Sequence, residues 1–243
     1  MRAAPMFPVL LKDDAFTTPD ADTSYVIAGN GLFLERRTEL YAATVRVDGG
    51  VPGLLPHEAR LDLRLPRPLP RSLVETALGF FRSVYERWEG EAVLFLFYAP
   101  AADGRRARYR VEAPPQTIRG RVEHGRFRAD LRLSYGPCAR PGPEWRKLGT
   151  MHSHAELSPR HSLVDEHDEL FETGLHVTVG YVDSTSPEFD AAFVVAGTRF
   201  PVPPEQVLEP AHTSRAWPPE WLERIRVVEE RRTDGKHGYA WSH

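Results

Sequence analysis

His152 and His154 stand one residue apart in the stretch MHSHAELSPRHSLVDEHDEL, with Ser162 and Asp165 following at fixed intervals. Ten histidines in 243 residues give roughly 0.4 such HxH pairs by chance, so the pair alone means little. A serine eight positions after His154 and an aspartate three beyond that lower the chance to about one in a thousand. Alternate residues of an extended segment face the same side, so the two imidazoles share a face. Asp165, in the first turn of a following helix, can bring its carboxylate to the same point. Two imidazoles and one carboxylate make an open zinc site whose fourth position is left to water, the arrangement of catalytic rather than structural zinc. The bland alternative is two surface histidines beside a helix-capping acid.

Hydrolytic zinc chemistry needs a carboxylate base close to the metal but outside its ligand set. Glu91 is the best candidate, because it stands where an amphipathic helix hands over to a buried strand. Glu89, two residues earlier on the same junction, is the alternative if the register slips. Ser162 is placed to donate a hydrogen bond to a developing oxyanion, a contribution of about 2.7–4 kcal/mol for one such donor. It can also simply cap a helix. His161, His167, Glu156 and Asp168 read as solvated or supporting neighbours.

The elements that must position these groups are read as follows. Residues 1–24 look like an irregular arm. Tyr25 to Val47 partly alternates and suits a hairpin turning near Glu35–Arg37. Leu61, Leu63 and Leu65 form a short strand that the prolines at 66, 68 and 70 end. Ser72 and Glu75 form a capping box ahead of a helix with Leu73, Ala77, Phe80, Phe81, Val84, Tyr85 and Trp88 on one face. Ala92 to Pro100 is uniformly apolar and reads as a central strand. A paired strand and a further hairpin follow, then EWRKLGTM as a strand running into His152. Ser162 caps a short helix over 163–173 with Gly174 at its exit. LHVTVGYV and FDAAFVVAG are strands, and one helix is expected over Pro219–Arg231. Trp217, Trp221 and Trp241 are expected to pack on the domain, with anchoring of a partner as the alternative.

These elements define an α/β protein with an N-terminal β-rich extension over 1–69, a main domain over 70–210 and a charged tail over 211–243. With 41 % hydrophobic and 27 % charged residues the chain is globular, and a net charge of −3 argues against nucleic-acid or anionic-membrane binding. Cys138 is the one cysteine, so an internal disulfide and a cysteine-based zinc site are excluded. No run is long enough to span a bilayer, and the charged N-terminus does not read as a secretory signal, so a cytoplasmic protein is expected.

Glu91, His152, Ser153, His154, Ser162 and Asp165 together resemble the motif of the JAMM (JAB1/MPN) metalloprotease family. IAGNGLFL, Pro115–Gln116 and SLVDEHDELFETGLHVTVGYVD are similar to the bacterial Prok-JAB proteins of the PRTRC system protein A type, from about Tyr25 to Leu208. The resemblance implies a JAB1/MPN-like, cytidine-deaminase-like curved mixed β-sheet flanked by helices. It also implies a Zn2+ isopeptidase that cuts the amide linkage at the C-terminus of a ubiquitin-like protein, with E1-like and E2-like proteins as partners. Val93, Leu94 and Phe95 depart from the small residues that follow the motif glutamate in eukaryotic members, and residues 1–69 have no counterpart in the minimal domain. A catalytically silent scaffold binding the same partners is the alternative. A zinc deaminase is disfavoured, because that chemistry uses a Cys-x-x-Cys half-site.

Overall fold

The computed structural model describes residues 7–49, 55–102, 104–159 and 172–230. Strand residues dominate it, and the molecule is a mixed α/β protein whose three open sheets do not close into a barrel. The central sheet has six strands in the order β13-β12-β11-β10-β6-β7. These are β6 (Val93–Ala99), β7 (Arg108–Glu112), β10 (Arg146–Ser153), β11 (Gly174–Gly180), β12 (Glu188–Val195) and β13 (Thr198–Pro201). Only the β10–β11 pair among these is parallel. Among the described residues no helix is long and apolar enough to cross a membrane.

Every residue of β6 and of β11 is buried, which is why their sequences lack an exposed polar face. The two faces of β6 nevertheless divide cleanly. Ala92, Leu94, Leu96 and Tyr98 join the main core with helix α1 (Arg71–Trp88), while Phe95, Phe97 and Ala99 pack with Trp145 on the other side. The apolar stripe of α1 buries Leu73, Val74, Ala77, Phe80, Phe81 and Val84, as its spacing predicts.

The start of α1 differs from the expected capping box. Pro70 is the N-cap residue and no side chain caps the helix locally. Glu75 instead accepts from Thr213 Oγ1 at 2.8 Å, and the Arg71 amide donates to Glu209 Oε2 at 2.8 Å. With the helix starting at Arg71, a carboxylate far along the chain thus satisfies the first of its orphan amides. Arg82, on the same helix, donates to the carbonyls of Val182 and Ser184 at 2.8 Å each and to Ser214 Oγ at 2.6 Å. Arg82→Met is expected to cost about 1.5–3 kcal/mol, the worth of charge-assisted bonds to otherwise unmet carbonyls, read as a lower urea midpoint.

A five-stranded sheet precedes the helix, in the order β1 (Val9–Leu11), β2 (Thr23–Ala28), β3 (Gly31–Arg37), β4 (Tyr41–Asp48), β5 (Arg60–Leu63). The expected single hairpin turning at Glu35–Arg37 is therefore two hairpins. Those residues lie inside β3, and the chain turns at Gly29–Asn30 and at Thr38–Leu40. Thr38 Oγ1 fixes the second turn by accepting from the amides of Leu40 and Tyr41, both at 3.2 Å. The expected irregular arm contributes β1, which pairs in parallel with β2. Leu34, Tyr41, Ala43 and Val45 of this sheet share the core of the helix and the central sheet, with Tyr41 and Phe193 rings 5.0 Å apart.

The third sheet is β14-β8-β9, with β8 (Gln116–Glu123), β9 (Arg126–Tyr135) and β14 (Ile225–Glu229). The expected helix over Pro219–Arg231 shrinks to one turn, Glu220–Glu223, and the chain then runs as β14, parallel to β8. The β-branched Ile225, Val227 and Val228 favour extension once the edge of β8 is there to pair with. Trp221 is 2 % exposed and Trp217 stacks edge-on against Phe80, so both pack as expected; Trp241 lies outside the described residues.

Candidate metal centre

β10 delivers His152, and the chain carries straight on to His154. Ser153 between them turns into the core, where its amide donates to the Ala92 carbonyl at 2.9 Å and its Oγ accepts from the Ala92 amide at 3.0 Å. His152 and His154 therefore share the opposite face of the sheet, away from α1. Their Nε2 atoms lie 3.1 Å apart, with ring centroids at 5.0 Å and planes inclined by 53°.

The His154 ring is oriented by its own loop. Ala155, at φ 49°, turns the chain sharply, the Leu157 amide donates back to the His154 carbonyl, and Ser158 O comes within 2.9 Å of His154 Nδ1. A carbonyl only accepts, so Nδ1 carries the hydrogen and Nε2 presents its lone pair. Thr178 Oγ1, on the neighbouring strand, is 3.4 Å from His152 Nε2. Two nitrogens bound to one tetrahedral zinc at 2.0–2.1 Å are about 3.3–3.4 Å apart. The observed pair fits that spacing to a few tenths of an ångström, and the tautomer is the one a metal needs.

Glu91 is placed by the ladder between β6 and β10. The antiparallel register pairs His152 with Val93, and the Ser153–Ala92 bonds carry the same count one step further. Glu91 is the residue just before Ala92, where that ladder ends. The Gln116 side chain secures that end of β6, accepting from the Val93 amide at 2.9 Å and donating to the Val93 carbonyl at 3.2 Å. Glu89 goes elsewhere: it ends α1 in a left-handed conformation at φ 49°, and its carboxylate is 3.6 Å from Arg128 Nε.

Glu156 is not merely solvated. It accepts from Tyr85 Oη at 3.0 Å, and burial, followed by the Glu156 carboxylate, pushes that phenol up to about 12, which keeps it a donor. Asp165, Ser162, His161, His167, Asp168 and positions 163–171 of the expected helix lie outside the described residues; Glu172 and Thr173 are not helical, and Gly174, expected at the helix exit, opens β11. Among the described residues no group of three or more His, Cys, Asp and Glu side chains converges.

Sequence reasoning passed over Thr178 and His176, although both are polar residues in a strand that is otherwise apolar. That mismatch was the available signal, since a buried polar side chain requires a partner. His176 Nδ1 is 2.9 Å from Thr150 Oγ1 and its Nε2 is 2.9 Å from the Glu172 carbonyl.

No family model and no curated protein matches the chain. Among solved structures it is similar to protein DSY2949 from Desulfitobacterium hafniense, determined in solution. The two share 13 % identity over 68 % of this chain and 94 % of that one, at a TM-score of 0.32. A likeness this loose carries nothing about the site.

Proposed function

We propose that this chain is a zinc-dependent peptidase of the JAMM type, with a JAB1/MPN-like domain, that hydrolyses the amide linkage at the C-terminus of a ubiquitin-like protein. Deconjugation from a lysine side chain and trimming of a precursor are the two forms of that reaction. The observation that carries the reading is the pair of Nε2 atoms 3.1 Å apart, with the His154 tautomer fixed by Ser158 O.

In this reading His152, His154 and Asp165 hold the metal. Zinc, when bound, supplies a Lewis acid that polarises a carbonyl and lowers the pKa of water. Glu91, outside the ligand set, takes a proton at its carboxylate and later gives it to the departing amine. Ser162 donates a hydrogen bond to the carbonyl oxygen under attack. A cytoplasmic enzyme working beside E1-like and E2-like proteins fits this chemistry.

Metal analysis tests the reading. Two imidazoles at this distance also suit a direct N–H···N bond, which would bind no zinc. Purified protein equilibrated with micromolar zinc and desalted should retain about one zinc per chain, and His154→Ala less than about a tenth of that. The zinc-loaded protein should then cleave a ubiquitin-like fusion, and lose that activity on chelation. Failure to retain zinc would end the proposal. Zinc retention without cleavage, joined to capture of an E1-like protein, would favour the silent scaffold.

A further inference from the structure

We propose that the outer face of the N-terminal sheet holds a binding site for a small phosphorylated polyol, with Arg37 and Arg60 on the phosphate and Glu35 and Thr44 on the hydroxyls. The site stands apart from the metal centre and does not depend on it. Register places Ser24, Glu35, Thr44 and Arg60 on one rung across β2, β3, β4 and β5. Residues directly opposite one another in a sheet share a face, so all four side chains rise on one side. It is the side away from the main core, which takes Leu34, Tyr41, Ala43 and Val45 from the alternate positions.

Three of these polar side chains are closed off from bulk water. Ser24 is fully buried, Thr44 is 3 % exposed and Glu35 is 6 % exposed. Buried polar groups ordinarily find partners inside the protein. On this rung few do. Ser24 Oγ has no partner, and Thr44 and Arg60 enter no side-chain hydrogen bond or ion pair among the described residues. Glu35 commits Oε1 to His57 Nε2 at 3.1 Å and leaves Oε2 without a hydrogen bond among the same residues. His57 is itself fixed: Asn30 bonds its backbone amide and carbonyl at 2.7 Å each, and the Phe33 ring stands edge-on to the imidazole at 5.1 Å. The carboxylate is therefore oriented before any ligand arrives.

Over the rung opens a cavity of about 410 Å³, inside the roughly 300–1,000 Å³ of small-molecule sites. Glu35, Thr44 and Arg60 line it, as do Arg37, Ala42 and Asp62 of the next rung, where the alanine leaves the hollow. Arg36, Arg37, Arg60 and Arg64 stand around it against two acids, Glu35 and Asp62. Arg64 closes on Asp62 through Nε at 2.8 Å and Nη2 at 2.6 Å, and Arg36 lies beside the Tyr41 phenol. Arg37 donates to the Pro19 carbonyl at 3.0 Å, a bond that leaves its charge unbalanced. Arg37 and Arg60 are thus the guanidiniums with charge to offer. The surplus of two positive charges matches a phosphate monoester, which carries about −1.5 to −2 at pH 7, whereas a carboxylate balances only one. Guanidinium forks also fit phosphate oxygens. A bare phosphate brings no donors for Glu35 Oε2, and hydroxyls beside the phosphate supply them.

Titration calorimetry on the full chain at low salt tests this, with ribose 5-phosphate, ribose and inorganic phosphate as probes. Ribose 5-phosphate should bind one per chain with a Kd below about 1 mM, inorganic phosphate several-fold more weakly, and ribose not measurably. Arg60→Met, at an exposed position, should weaken the sugar phosphate about tenfold or more, the cost of a charge-assisted contact. Arg126→Met, an exposed arginine of β9 outside the cavity, should stay within about twofold of wild type. Glu35→Gln should bind inorganic phosphate more tightly and lose the preference for the sugar. If that variant does not fold, the isosteric Thr44→Val reads the same loss of preference. Folded wild type that does not bind ribose 5-phosphate would overturn the site, as would binding that Arg60→Met and Arg126→Met weaken alike. Inorganic phosphate held as tightly as ribose 5-phosphate would overturn the polyol. Arg60→Met should retain zinc as wild type does, so failure here leaves the peptidase reading standing.

Discussion

Glu91→Gln should retain about one zinc per chain while lowering turnover of a ubiquitin-like fusion by about 10²–10⁴-fold, the span attributed to a positioned acid–base group. Glutamine keeps the shape and a hydrogen-bonding end, but it cannot take a proton from water or return one to an amine. The separation of binding from turnover follows from geometry. His152 and His154 come from β10 and from the turn that follows it, whereas Glu91 precedes β6. Nothing in the substitution disturbs the Gln116–Val93 or Ser153–Ala92 bonds that hold those segments together. Glu89→Gln is the matched control. Its carboxylate reaches Arg128 at an exposed ion pair, so its loss should change turnover less than about twofold and stability by less than about 1 kcal/mol. Loss of zinc with Glu91→Gln would make Glu91 a ligand, and undiminished cleavage would remove it from the reaction. A large defect in Glu89→Gln with none in Glu91→Gln would transfer the role between them.

Periodicity made the central strands legible because their burial on both faces leaves a plain mark in composition. Val93–Ala99 and Gly174–Gly180 are strands where the apolar runs place them, and His152 follows directly from the strand before it. The errors fall where distant parts of the chain override local preference. Glu209 meets the Arg71 amide at the start of α1 in place of a local cap, and no local pattern announces a partner so far away. The last strand needed the β8 edge to pair with, so Ile225–Glu229 read locally as the continuation of a helix. The hairpin error is of another kind. The Gly29-Asn30-Gly31 turn signal sits inside an otherwise alternating stretch, and the Asn30 amide bonds the His57 backbone carbonyl and N–H at 2.7 Å each. In the candidate site, residue types and spacing pointed to the two histidines. The Ser158 carbonyl behind His154 and the Thr178 hydroxyl beside His152 belong to a loop return and a neighbouring strand, which spacing alone does not report.

Gly149→Ala should be the most destabilising glycine-to-alanine change among the described residues, costing more than about 4 kcal/mol of the 5–15 kcal/mol that holds a typical domain folded. A Cβ at position 149 would sit 1.8 Å from the Leu175 carbonyl oxygen and 2.6 Å from its carbon. Those are backbone atoms of β11, so no side-chain rotation relieves the overlap. Gly174 faces it across the same gap, where a Cβ would lie 2.5 Å from the Leu148 carbonyl oxygen. The two glycines let β10 and β11 approach just before the Thr150–His176 and His152–Thr178 rungs. To accept the methyl, the strands must part by about 1 Å or more, which stretches their ladder bonds beyond hydrogen-bonding range. The damage then reaches the site as well as the fold, because β11 supplies Thr178 and His176 while β10 supplies His152. Gly49→Ala, where nothing lies within 4 Å of the added carbon, should change stability by no more than about 0.5 kcal/mol. Urea unfolding of the pair decides the matter. If Gly149→Ala unfolds with the wild-type midpoint, the close approach of β10 and β11 is not a feature of the molecule, and the geometry that brings His152 beside Thr178 loses its support.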